Sequence, residues 1–150
     1  MTTQEWVVDT WVLARADPQY EESMEAVTLL CLILRNQRIA LDHDGRIEDE
    51  YQSQIRRVEH VRIWWTRMVS TSGKISHRDG NLKARHRREL VEAGQIGDTD
   101  GVFVSVASNA APTKYLVTED GDYSAHVVSY LQSELAVNVL SLAAALQTIE

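Results

Sequence analysis

Four short apolar runs, each set off from the next by stretches with helical spacing, constrain this chain more than any other feature of its sequence. Residues 5–9 (Glu-Trp-Val-Val-Asp), 38–42 (Arg-Ile-Ala-Leu-Asp), 114–118 (Lys-Tyr-Leu-Val-Thr) and 136–140 (Ala-Val-Asn-Val-Leu) read as buried strands. Between them, residues 21–35 read as a helix, with Met24, Val27, Leu30, Cys31 and Leu34 at helical spacing. Glu21, Glu22 and Glu25 crowd its start, where the helix dipole favours anions. His43, Asp44 and Gly45 form a turn, with Asp44 as its cap, and helices follow over 47–57 and 59–69. Residues 70–81, with two glycines and six Ser, Thr, Asp or Asn, read as a loop. Further helices are predicted over 82–93, 100–109 (capped by Thr99 or Asp98), 124–134 and 141–147. Strands alternating with helices imply a central parallel sheet covered on both faces, a three-layer α/β/α sandwich.

With 150 residues the chain has length for one domain with a sizeable core. Its 44% apolar and 25% charged residues, with 7 Gly and 2 Pro, exclude disordered, collagen-like and solenoid readings. The single cysteine, Cys31, excludes an internal disulfide framework and a cysteine-based zinc finger; on an apolar helix it reads as a buried small hydrophobe. The longest apolar run, 27–34, is too short to cross a bilayer and no signal-peptide pattern opens the chain, so a soluble, cytoplasmic protein with no membrane partner is expected. The net charge of −7 hides an asymmetry: residues 55–90 hold 10 basic and 3 acidic residues, leaving 5 basic and 19 acidic elsewhere. Such a division suits two surfaces with different tasks, one of them seeking phosphates.

In a doubly covered parallel sheet the functional crevice lies outside the carboxyl ends of the strands, where the strand order reverses. Asp9 ends the first strand, Glu50 lies in the first turns of the helix after the second, Asp100 opens the helix leading to the third, and Asp120 follows the third. Taken singly, Asp100 could be a first-turn residue, Glu50 a surface residue and Asp120 part of an Asp-Gly turn. Together they place four carboxylates on one rim. Carboxylates gathered out of water raise one another's pKa, and a divalent cation removes that cost. Hard Mg²⁺ or Mn²⁺ prefers oxygen ligands and retains open positions for a phosphate and water, which suits in-line hydrolysis of a phosphodiester.

These segments carry a resemblance. Val7, Val8, Asp9, Thr10, Trp11, Val12 and Leu13 resemble the opening motif of PIN-domain nucleases, with Trp11 where that family usually has Asn. The stretch 45–51, ending in Glu50 and Tyr51, resembles the second acidic motif. Asp100 opening a helix with a small residue, Ala107, seven positions on resembles the third. Val117, Thr118, Glu119, Asp120, Gly121, Asp122 and Tyr123 resemble the fourth. The resemblance spans nearly the whole chain. It implies a PIN-like α/β/α fold and metal-dependent cleavage of RNA, less often of DNA. Many small PIN proteins are ribonuclease toxins paired with an antitoxin protein, and many are homodimers. Carried over, Asp9, Glu50, Asp100 and Asp120 would be the catalytic, metal-binding acids, with Asp122 an auxiliary ligand and Asp98 a lesser one. Thr10 and Thr118 would orient carboxylates or water by hydrogen bonds.

The basic segment supplies Arg62, Arg67, Lys83, Arg85, Arg87 and Arg88 as candidate phosphate contacts. Trp64 and Trp65 could stack on bases, although adjacent helix positions differ by about 100°, so at least one faces the core. Two alternatives stay open. Trp11 in place of Asn leaves room for a catalytically idle PIN module that binds RNA or a protein partner. Asp42, His43, Asp44 and Gly45 resemble the Asp-x-Asp-Gly element of phosphatases with an aspartate nucleophile, but Arg46 stands where that element has Thr or Val, and no suitable lysine follows. The five histidines show no paired ligand spacing and read as surface residues.

Overall fold

Each apolar run pairs with its neighbour in the same direction. The computed structural model describes residues 3–150. In it, β1 (Glu5–Val8), β2 (Arg38–Asp42), β3 (Ile75–Arg78), β4 (Tyr115–Val117) and β5 (Asn138–Leu140) form one parallel sheet in the order β3-β2-β1-β4-β5. The helices are α1 (Thr10–Arg15), α2 (Ser23–Asn36), α3 (Arg46–Arg57), α4 (Glu59–Ser70), α5 (Ala84–Arg87), α6 (Asp98–Ser108), α7 (Ala125–Leu135) and α8 (Leu142–Thr148). All four residues of β1 are buried, and because successive side chains point to opposite faces, the sheet is covered on both. The expected three-layer α/β/α sandwich is the fold observed.

Burial explains the helices' places. In α6 every residue from 101 to 107 is buried; a helix apolar all round must lie inside, and α6 crosses β2, β1 and β4. Helix α2 buries Ala26, Leu29, Leu30 and Ile33 and packs against β2, α4 and α8. The chain runs from β1 through β2 to β3 on one side of the sheet, then returns to β4 and β5 on the other. Strands β1 and β4 pair with Val8 opposite Val117, so the switch point lies just beyond these two residues.

A carboxylate in β1 clasps the sheet. Glu5 accepts hydrogen bonds from Arg78 Nε and Nη2 at 3.0–3.2 Å and from the Ala111 N–H at 2.8 Å. Burial alone would raise its pKa; hydrogen bonds from Ser76, Arg78 and Ala111 and the Arg78 charge outweigh this and hold the carboxyl below its ordinary range. Gly80, just after β3, has no room for a side chain: a Cβ there would stand 2.7 Å from Asp42 Cβ and 3.1 Å from a Val102 methyl.

The structure corrects several expectations. The 70–81 loop contains β3, an edge strand whose Ile-Ser-His-Arg sequence has one apolar residue and little to mark it as a strand. Helix α1 begins directly after Asp9, over residues to which the sequence reading assigns no element. The 82–93 helix is short: α5 passes into a π-helical turn over Arg88–Glu92, where the Ala93 N–H bonds the Arg88 carbonyl. Cys31 is exposed, not buried, because α2 is apolar on more than one face and turns Leu30 and Ile33 inward instead. His86 is buried, its Nδ1 2.9 Å from the Tyr130 hydroxyl.

Candidate active site

The backbone delivers Asp9 to the switch point. Its N–H donates to the Val117 carbonyl at 3.0 Å, extending the β1–β4 pairing by one step, and its extended conformation starts α1. Asp9 is 4% exposed, yet its side chain does not cap α1. Instead Oδ2 accepts from the Thr118 hydroxyl at 2.6 Å. Thr118, buried at the end of β4, accepts in turn from the Asp120 N–H at 3.1 Å. One hydroxyl thus ties Asp9 to the loop bearing Asp120 across the place where strand order reverses. The Asp120 carboxylate accepts the Asp122 N–H at 3.0 Å, setting the turn that ends with Tyr123. Asp100 comes from the first turn of α6, and its Oδ2 accepts from the Gly97 N–H at 3.3 Å.

These residues meet in one cavity of about 310 Å³, lined by Asp9, Thr10, Trp11, Glu50, Thr99, Asp100, Phe103 and Asp120 among others. The charges feel one another. Burial, with Asp120 and Asp122 adding repulsion, pushes the Asp9 carboxyl up to about 6 against the pull of Thr118 and the Thr10 N–H. Asp100 is likewise pushed up to about 6, by burial and then by Asp9, Asp122 and Asp120. The buried Tyr123 hydroxyl has no hydrogen-bond partner, and its pKa is raised by burial and by Asp100, Asp9, Asp120 and Asp122. Tyr51, fully enclosed, donates to the Val8 carbonyl and so fixes α3, with Glu50, to the end of β1.

Among the described residues no three His, Cys, Asp or Glu side chains form a group closed enough to hold a metal ion as they stand. The acids line a shared cavity and do not make a finished cage. Even so, the donor set is all oxygen, two carboxyls carry pKa values raised by burial and by neighbouring Asp charges, and Thr10 Oγ1 is buried without a partner. Such a site fits a hard divalent cation.

The other candidates are scattered. Asp122 is exposed and acts on the cavity through its charge. Asp98 is paired with Arg87 at 2.8 Å. Arg87 lines a trough that meets the acid cavity by way of Arg46, Glu50 and Thr99. Lys83 and Arg85 line a different pocket beside α7, and Arg88 is exposed. Arg62 and Arg67 lie on α4, where Arg67 borders an apolar groove facing α2. Trp64 and Trp65 are both buried, which leaves neither to stack on a base. Asp42, the phosphatase alternative, is occupied as a helix cap: its Oδ1 accepts the Ile47 N–H at 2.8 Å and its Oδ2 the Arg46 N–H at 3.0 Å. Asp44, read as the cap of the His43–Gly45 turn, is exposed and lies 3.8 Å from Arg46 Nη2. Sequence reasoning did not single out Tyr123, Arg15 or Arg46. Tyr123 carries no signal beyond its place as the last residue of the fourth acidic segment.

An all-parallel α/β/α domain with an acid-lined cavity at its topological switch point is the class that fold and site define. No protein-family model matches the sequence, and no curated protein matches it. Among solved structures, a chain of VapBC2 from Rickettsia felis, determined bound to a DNA fragment from their promoter, is similar to this one with a TM-score of 0.51 and 17% identity. The alignment covers 91% of this chain and 98% of that chain. At this identity the likeness is one of fold. No helix among the described residues is long and apolar enough to cross a membrane.

Proposed function

We propose that this chain is a PIN-type endoribonuclease that depends on Mg²⁺ or Mn²⁺ and is held in check by an antitoxin-like protein partner. The observation that carries this reading is the cavity shared by Asp9, Asp100 and Asp120, where the Thr118 hydroxyl links Asp9 to the Asp120 loop while burial and mutual repulsion push the Asp9 and Asp100 carboxyls up to about 6. Asp9, Asp100 and Asp120 would hold the cation, with Glu50 lining the same cavity and Asp122 adding charge from outside. When bound, a divalent cation supplies charge neutralisation and Lewis acidity for in-line phosphodiester hydrolysis. The chain's own residues do the rest. Thr118 fixes the Asp9 carboxylate, Tyr51 fixes the helix that carries Glu50, and Phe103 gives the cavity an apolar wall that limits water. No side chain need act as a covalent nucleophile, and Asp42, both of whose oxygens are engaged, does not compete for the role.

The fold likeness to VapBC2 supports a partner protein, and the resemblance of the acidic segments supports RNA as substrate. Incubation of a single-stranded RNA with the purified protein and Mn²⁺ tests the reading. Cleavage is expected, abolished by chelation and by Asp100→Asn; cleavage that survives both would overturn it. A second reading, an idle PIN module, is favoured by Trp11 and by the open ligand set. It predicts RNA or partner binding with no Mn²⁺-dependent cleavage.

A further inference from the structure

The residue that departs from the PIN pattern stands in the cavity wall. Trp11 lies two positions after Asp9 and lines the same cavity as Asp9, Glu50, Asp100 and Asp120. It is half-buried and packs in part against the core. The Arg15 guanidinium lies 4.8 Å from the Trp11 ring centroid and 4.4 Å from that of Tyr20, so the cation is sandwiched between two aromatic rings. Glu22 holds it there through a 3.0 Å contact to Arg15 Nη1. Four side chains from α1 and the segment after it thus form a shoulder beside the acids. Trp64 and Trp65, the other aromatic candidates, are inside the core and leave the shoulder as the place where an indole meets the cavity.

We propose that Trp11 stacks on an unpaired base next to the phosphodiester presented to the acids, with Arg15 holding the indole and supplying positive charge to the adjoining backbone. This rests on the nucleic-acid reading of the same cavity. With Arg15 over one face of the indole, an unpaired base would take the other, whereas bases in a duplex are already stacked. The arrangement selects single-stranded over paired substrate and favours bases that stack well. The Arg15–Glu22 and cation–π contacts fix the ring before the substrate arrives, which lowers the ordering cost of binding.

The experiment uses Asp9→Asn protein, so that RNA is bound but not cut, and a short fluorescein-labelled single-stranded RNA with an abasic site moved along it. Anisotropy should show one position where loss of the base weakens binding about tenfold. Adding Trp11→Leu, which keeps apolar volume but removes the π-face, should weaken binding of intact RNA by a similar factor and erase the penalty at that position. Trp11→Phe should restore most of both. If Trp11→Leu fails to fold, as a melting curve would reveal, the Arg15→Gln protein carries the comparison, with the abasic penalty reduced in it and largely kept in Trp11→Phe. Unchanged affinity in the Leu variant, an abasic penalty that persists in it, or no RNA binding by the parent would overturn the proposal. A Trp11-dependent penalty in a protein whose wild type cuts no RNA would sustain the stacking site while removing the hydrolytic reading.

Discussion

Asp9 and Asp42 end adjacent parallel strands, are both buried, and are both followed by a helix, yet they live in opposite electrostatic circumstances. Asp42 accepts two backbone N–H bonds from the first turn of α3 and has Arg46 Nε at 3.6 Å. Burial alone would raise its pKa; the Ile47 and Arg46 N–H groups and the Arg46 charge outweigh that and hold it below the ordinary carboxylate range. Asp9 also precedes a helix but does not cap it, and the pull of the Thr118 hydroxyl and the Thr10 N–H is outweighed by burial and like charges. The difference separates structural from functional acids. An acid that satisfies its own fold stabilises it, and an acid left strained at the switch point is arranged for a charge that arrives later.

The largest break in this comparison should come from Asp9→Asn. RNA cleavage should fall at least about a hundredfold, while the melting temperature without metal stays level or rises, since a repelled charge has gone. Asp42→Ala should do the reverse. It should cost about 2 kcal/mol in a denaturant titration, by removing a cap and two charge-assisted hydrogen bonds, and leave cleavage per folded molecule unchanged.

The pH profile sharpens the contrast. Asp9 and Asp100 have folded pKa values near 6, above the unfolded ones, so the folded chain binds protons that the unfolded chain does not. Metal-free stability should therefore rise as pH falls from about 7 toward 5. Asp42 and Glu5, held below their unfolded values, act oppositely: their contribution is lost as pH falls below about 4. A melting temperature that passes through a maximum between these ranges is expected, with the neutral-side slope flattened in Asp9→Asn. The smallest effect should come from Thr118→Val, which removes the hydroxyl between Asp9 and Asp120. It should cost about 1 kcal/mol in stability and lower cleavage without abolishing it.

What the sequence displayed and what it hid follow from the same physics. β1, β2 and β4 could be read because their residues are almost all apolar, as strands covered on both faces must be, and the acids ending them could be read as a consequence. β3 could not, because an edge strand with half-exposed positions has no need of that pattern. Cys31 was hidden by a helix whose leucines and isoleucines surround it, so spacing alone does not choose the inward face. The site showed the same divide. Asp9, Glu50, Asp100 and Asp120 were legible from strand-end logic and do line one cavity. The Arg15 sandwich, the Tyr123 hydroxyl and the scatter of the basic residues depend on side-chain directions that no linear pattern encodes.

The most direct test is a Mn²⁺ titration followed by thermal melting, with wild-type and Asp9→Asn protein side by side. A cation held by the switch-point acids should raise the wild-type melting temperature progressively with concentration and leave Asp9→Asn nearly flat. A wild-type protein that Mn²⁺ does not stabilise, or equal stabilisation of both proteins, would contradict a cation site built on Asp9.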